Sequence, residues 1–252
     1  MDRWQNKIAV VTGASAGIGA TIVKSLLQAN LTVVGLARRK EKILEIRDSL
    51  PKEKQSRLHA VKCDITNEGE VKYAFDWIEK NLGGTDILVN NAGVVRNKTC
   101  LISPGNTADM KEIVDTNIMG FLYCTREAFN SMKARNFDGH IIVINSVLGH
   151  KVANFIGSKA IVSTNMYSPS KYAVTAMVET YRQEFANAGT KVKITSISPG
   201  MVNTELISER TRALNLPMLE SEDIANAILY ALSTPPHVQV HDIIIKPVGE
   251  PV

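Results

Sequence analysis

The chain alternates seven short aliphatic, β-branched runs with longer stretches of helical spacing. The runs are "KIAVVTG", "LTVVGLA", "RLHAVKCDI", "DILVNNAG", "HIIVINSV", "KVKITSISPG" and "DIIIKPV". They are continuous apolar runs, so each strand is expected to be covered on both faces, as in a parallel sheet. Between them, "GIGATIVKSLLQAN", "KEKILEIRDSL", "EGEVKYAFDWIEKNLG" and "SEDIANAILYALS" read as helices. Two longer helical segments are expected, one from about Thr107 to Arg135 and one following Tyr167. Right-handed crossovers turn such a series into an α/β fold, a doubly wound Rossmann sheet of about seven parallel strands with helices on both faces. No repeat, low-complexity segment or long linker divides the 252 residues, so one domain spanning 1–252 is expected.

The first strand runs straight into "TGASAGIGA", with Gly13, Gly17 and Gly19. Glycines let the backbone turn tightly and let a pyrophosphate approach a helix start, whose free N–H groups favour anions. The spacing is GxxxGxG, and no Lys-Ser/Thr follows, so it is not a Walker loop. The second strand ends in Ala37, where a free ribose 2′-hydroxyl usually meets a carboxylate, and then in Arg38 and Arg39. Arginine pairs well with a 2′-phosphate, so the pattern favours NADP over NAD, with Arg38 the leading contact. The alternative is that both arginines are a solvated helix start. Asp64 and Ile65, after the third strand, are placed beside the adenine ring; Asp64 fits a capping turn equally well.

In "YSPSK", Tyr167 and Lys171 are four apart and therefore share one helical face. A tyrosine of ordinary pKa, about 10, is a poor base near neutrality, and a nearby ammonium is expected to lower it. Pro169 is tolerated only in a first helical turn, which places Tyr167 at the helix start. Tyr172 lacks a lysine four residues on. His140 reads as structural, and His150 as a candidate for the substrate cleft.

Composition excludes several classes. Hydrophobic residues make up 44% and charged residues 21%, ordinary for a globular protein. A net charge of +4 without a dense basic block beyond "RRK" argues against nucleic acid. Cys63, Cys100 and Cys124 form no CxxC pattern, so neither a disulfide framework nor a zinc site is indicated, and no carboxylate/His cluster suggests a metal. The polar start "MDRWQNK" is not read as a signal peptide, no run approaches the roughly 18 residues of a membrane span, and a cytoplasmic location is expected. The sequons at Asn30 and Asn97 read as chance.

"TGASAGIG", "CDI", "NNAG" at Asn90 to Gly93, Asn117 in "DTNIMG", Ser146 in "INSVLGH", "YSPSK" and "SPGMVNT" follow one another along the chain. In that order they resemble the short-chain dehydrogenase/reductase family over nearly the whole length. The flanks, among them "ALSTPPHVQVHDI", are similar to the group holding insect farnesol dehydrogenases and a vertebrate ketosteroid-reducing relative.

The resemblance implies an NADP-dependent oxidoreductase that interconverts apolar alcohols, of isoprenoid, retinoid or steroid type, with their aldehydes or ketones. Tyr167 would be the acid/base, and Lys171 would tune it and hold the nicotinamide ribose. Ser146 would bind the substrate oxygen, and Asn117 would hold a water in a proton relay. The cofactor would meet Gly13, Ser15, Gly17, Ile18, Gly19, Asn91, Ala92 and Gly93, with Pro199, Gly200, Val202 and Thr204 clasping its carboxamide. Substrate would meet Ser146, Val147, His150, Tyr167 and Leu206. Taken singly, Ser146 also reads as a turn hydroxyl and Asn117 as a local helix cap. From Ser146 to Tyr167 the offset is 167 − 146 = 21, longer than the family pattern leads one to expect. The segment 151–166, with 205–217, is expected to wall an apolar pocket through Val152, Phe155, Ile156, Leu206, Ile207, Leu214 and Leu216. A homodimer or homotetramer is expected from the family. A silent dinucleotide-binding sensor is the alternative, although it should have lost Ser146, Tyr167 or Lys171.

Overall fold

The structure, a computed structural model, describes residues 1–96, 99–153 and 164–250. The seven apolar runs become β1 (Ile8–Thr12), β2 (Thr32–Ala37), β3 (Leu58–Lys62), β4 (Ile87–Asn90), β5 (His140–Ile144), β6 (Lys193–Pro199) and β7 (Asp242–Ile245). All pair in parallel, in the order β3-β2-β1-β4-β5-β6-β7. The order reverses between β1 and β4, which opens a crevice beyond the carboxyl ends of those strands. Central strands are buried throughout, which is why their sequences are continuously apolar.

The helices α1 (Gly17–Gln28), α2 (Lys40–Asp48), α3 (Lys52–Gln55), α4 (Glu68–Leu82), α5 (Thr107–Val114), α6 (Phe121–Ala134), α7 (Tyr167–Asn187), α8 (Glu209–Arg212) and α9 (Ser221–Ser233) connect them. One core packs α1, α2 and α9 on a face of the sheet through Ile22, Leu26, Ile43, Ile224 and Ile228. A second core packs α4, α6 and α7 on the other through Phe75, Ile78, Phe121, Met132, Val174 and Phe185. The expected long helical segment from Thr107 runs without a break to Ala134, and residues Asp115–Gly120 form a π-helical stretch within it, between α5 and α6. Among the described residues no helix is long and apolar enough to cross a membrane.

The amino end is tied to the far helix. Trp4 is 1% exposed, and its indole Nε1 donates to the Leu232 carbonyl at 2.7 Å. Trp4→Ala therefore removes a full side chain from the α9 core and strands a buried carbonyl. A loss of about 3–5 kcal/mol of unfolding free energy is expected, read from denaturant midpoints.

Candidate active site

The β1 turn is shaped by close backbone approach. Gly13 has φ +65°, and a Cβ there would lie 2.9 Å from the Ala92 Cα. At Gly19 a Cβ would lie 2.3 Å from the Gly13 carbonyl oxygen, so the helix start can fold onto its own turn only without a side chain. Asn91 locks this arrangement from β4. Its Nδ2 donates to the carbonyls of Thr12 at 2.9 Å and Gly13 at 3.3 Å, while Thr12 Oγ1 accepts the Asn91 and Ala92 N–H groups, each at 3.0 Å. Thr12, a lone threonine at the end of β1, carries no motif signal in the sequence. Helix α1 begins after Ala16 with no side chain capping it, so its first N–H groups have no side-chain partner; Ser15 precedes it and Ile18, in its first turn, packs against the first core. Helix α4, by contrast, is capped by Asn67.

Arg38 and Arg39 are exposed at the end of β2, and neither guanidinium forms an ion pair or hydrogen bond among the described residues. Asp64 behaves as a turn residue, its Oδ1 accepting from Thr66 N at 3.0 Å and Thr66 Oγ1 at 2.8 Å. Ile65 is buried, and its side chain fills the space that a Cβ at Gly120 would need.

Asn117 sits in the π-helical stretch, which turns its side chain toward the β4 loop. Its Oδ1 accepts from Val94 N at 2.8 Å, and its Nδ2 donates to Val94 O at 3.0 Å and Ser170 Oγ at 3.1 Å. Both amide donors are thus used by protein, linking the loop after Gly93 to α7. A cavity with about 10 Å³ open to a water centre lies beside Thr12, Asn90, Asn117, Ile144 and Lys171, room for about one water.

Ser146 follows β5 and starts a 3-10 turn, Val147–Gly149, accepting the Leu148 N–H at 3.1 Å. Tyr167 is the first residue of α7, so Pro169 falls in the first turn, as its missing N–H requires. Lys171 comes one turn later, with Nζ donating to the Ile144 carbonyl at 2.8 Å and lying 5.6 Å from the Tyr167 ring centroid. Ser146, Tyr167, Lys171 and Asn117 therefore converge on one wall of the crevice.

Charge at this wall departs from expectation. Burial pushes the Tyr167 phenol above its usual pKa, and the neighbouring Ser146 hydroxyl offsets only part of that rise. Burial also lowers Lys171 to about 8. Lys171 is not among the groups that shift the Tyr167 phenol, which desolvation moves in the direction opposite to the one expected from an ammonium four residues on. The low-dielectric wall favours the neutral phenol and loosens the lysine proton.

Residues beyond β6 complete the crevice. Gly200 N donates to Ile245 O at 2.8 Å, Val202 bridges to Leu219, and Thr204 approaches Gly17, whose Cβ would be 3.4 Å from Thr204 Cγ2. Glu250, unforeseen from sequence, accepts the Met201 N–H at 2.9 Å and steadies the turn after Pro199. Val147 is buried. His150 is engaged elsewhere: its Nε2 lies 2.9 Å from Ser198 Oγ and 2.9 Å from Asp242 Oδ2. His140 is buried with Nε2 2.9 Å from Thr195 Oγ1, and burial drives its pKa down to about 3. Val152, Leu206 and Leu214 are exposed, Ile207 and Leu216 half-buried. Phe155 and Ile156 lie outside the described residues.

A sequence profile of the short chain dehydrogenases matches residues 7–215. The chain is 52% identical over 250 residues to a farnesol dehydrogenase of Aedes aegypti, covering 99% of each. It is 42% identical over 262 residues to dehydrogenase/reductase SDR family member 11 of Gallus gallus, covering 98% of each. Among solved structures, the closed form of a serine dehydrogenase complexed with NADP+ superposes with a TM-score of 0.85 at 28% identity, covering 97% of this chain and 96% of that one. The chain belongs to the short-chain dehydrogenase/reductase family and is an oxidoreductase of that family.

The lysine shift has a measurable sign. Folded Lys171 releases its proton near pH 8, whereas an unfolded lysine keeps it to 10.5. Between these values the unfolded chain binds more protons, so this group's penalty on the folded state fades as pH rises. The unfolding free energy of wild type minus that of Lys171→Met is expected to climb by up to about 3 kcal/mol across that window. A flat difference would contradict the assignment.

Proposed function

We propose that the protein interconverts an apolar alcohol and its aldehyde or ketone, using NADP and the Tyr167 phenol as acid/base. The observation that carries this reading is the convergence of Ser146, Tyr167 and Lys171 beside a crevice floored by the Gly13–Gly19 turn. The residues present fit the cofactor. A glycine cradle with an uncapped helix start suits a pyrophosphate, and the unpaired Arg38, with Arg39 beside it, suits a 2′-phosphate. Asn91, Ala92 and Gly93 would flank it, Asp64 and Ile65 would border the adenine, Tyr167 and Lys171 would hold the ribose, and Pro199 to Thr204 the carboxamide. The NADP+ complex of the serine dehydrogenase supports the same choice. When bound, the nicotinamide supplies or accepts the hydride.

The chain's own residues handle the proton. In reduction, the Tyr167 O–H gives its proton to the substrate oxygen as the carbon gains hydride. In oxidation, the phenolate takes the alcohol proton as that carbon loses hydride. Ser146 donates a hydrogen bond to the same oxygen as charge develops. Burial keeps Tyr167 protonated through neutral pH, which is the form that donates in reduction. One water in the cavity beside Lys171 would connect its ammonium to the Asn117 region and replace the proton.

The name of the mosquito relative, farnesol dehydrogenase, supports an isoprenoid-type alcohol. Val152, Leu206 and Leu214 are exposed and would offer the apolar surface such a chain would cover. A separate open groove of about 390 Å³ between α6 and α7 is lined by Leu122, Phe129, Tyr181 and Phe185, with Arg126 and Glu184 beside them. That face supports a homodimer or homotetramer, as members of the family commonly form.

Three outcomes test the reading. Tyr167→Phe is expected to lower turnover of farnesol with NADP by about 10²–10⁴-fold while cofactor titration still saturates; full retained activity would falsify the mechanism. Arg38→Ala is expected to weaken NADP by about tenfold or more and leave NAD unchanged; equal losses remove the 2′-phosphate contact. Oxidation is expected to quicken about tenfold per pH unit below the Tyr167 pKa, while reduction stays level through neutrality. Cofactor binding without turnover of any alcohol or carbonyl would point to a sensor.

A further inference from the structure

Ser146 and Tyr167 come from different elements, so something must hold the turn after β5 against α7. Thr175 lies on α7 one turn beyond Lys171. Its Oγ1 accepts from Asn145 Nδ2 at 2.9 Å and stands 3.0 Å from the Gly149 carbonyl and 3.1 Å from the Lys171 carbonyl. One hydroxyl proton is shared between those two acceptors. Asn145 immediately precedes Ser146, and Gly149 closes the turn that Ser146 opens. A single hydroxyl thus grips both ends of the Ser146 turn and the backbone of Lys171.

Two further observations show that this contact is built. A Cβ at Gly149 would lie 2.7 Å from the Lys171 carbonyl oxygen, 2.9 Å from Asn145 Nδ2 and 2.9 Å from Thr175 Oγ1, so the turn can touch the helix only as glycine. Asn145 is 3% exposed, its main-chain N–H is bound to Ile197 O at 2.7 Å, and its Oδ1 is buried without a hydrogen-bond partner among the described residues. An aspartate there would put a charge where no donor waits, and an apolar residue would lose the bond to Thr175. The donor half of the amide is the part the structure uses.

We propose that Asn145, Gly149 and Thr175 are positioning residues that set the approach of the Ser146 hydroxyl to the Tyr167 phenol. They act through Ser146 and Lys171, and the inference rests on the roles given to Ser146 and Tyr167 above. The discriminating pair is Thr175→Val, which keeps shape and loses the hydroxyl, and Thr175→Ser, which keeps the hydroxyl. In Thr175→Val the Tyr167 phenol, followed by ultraviolet difference titration against Tyr167→Phe, is expected to ionise at higher pH than in wild type, because Ser146 no longer favours its anion. In Thr175→Ser it is expected to titrate as wild type does. With farnesol and NADP, Thr175→Val is expected to lower kcat by about 10–100-fold, as a misplacement on the order of 1 Å does, with cofactor KM within about twofold. Thr175→Ser should recover most of the rate, and Gly149→Ala, where it folds, should lose at least as much as Thr175→Val. A purely structural role would lower the Tm of Thr175→Val and leave both the titration and kcat of folded protein unchanged; that result overturns the proposal. Loss of turnover in Ser146→Ala and Tyr167→Phe with none in Thr175→Val discards the brace alone. Full turnover in those two controls discards the reading of the site and the brace with it.

Discussion

The pairing of β1 with β4, Val11 opposite Val89, is the constraint on which the crevice depends. It brings the end of β1 beside Asn90 and Asn91, so that the Asn91 amide can hold the carbonyls of Thr12 and Gly13. That grip pulls two turns close enough that Gly13 and Gly19 can carry no side chain. Slip the register by one residue and Asn91 would face the other side of the sheet, leaving the turn without its clamp. Every group that faces the crevice is placed relative to this junction.

Burial then sets the electrical state of the opposite wall. A tyrosine and a lysine on one helical face, in water, would sit near their ordinary pKa values with the ion pair within easy reach. Here desolvation raises the first and lowers the second to about 8. The neutral phenol is favoured, the lysine holds its proton less tightly, and Ser146 is the group that offsets the shift at the phenol.

Several features were legible because they depend on local sequence. The seven strands appear where aliphatic runs stand, and α7 begins at Tyr167 because Pro169 cannot lie deeper in a helix. Others were not. The π-helical stretch at Asp115–Gly120 has no compositional mark, since it arises from fitting Asn117 to the Val94 backbone and Gly120 to Ile65. Thr12, Asn145, Thr175 and Glu250 are common residue types whose partners lie far along the chain. The partner of His150, Asp242, comes from β7 and lies far along the chain.

The sequence by itself determined the doubly wound parallel sheet, the glycine turn after β1, and the four-residue spacing of Tyr167 and Lys171, because hydrophobic period, glycine and proline act over a few residues. How those pieces meet is set by packing between elements distant in the chain. The hold on Ser146 through Thr175, the capture of Asn117 by the β4 loop and the direction of the Tyr167 and Lys171 shifts all follow from desolvation and contacts between elements far apart in the chain. Those quantities depend on distance in space, which no spacing along the chain encodes.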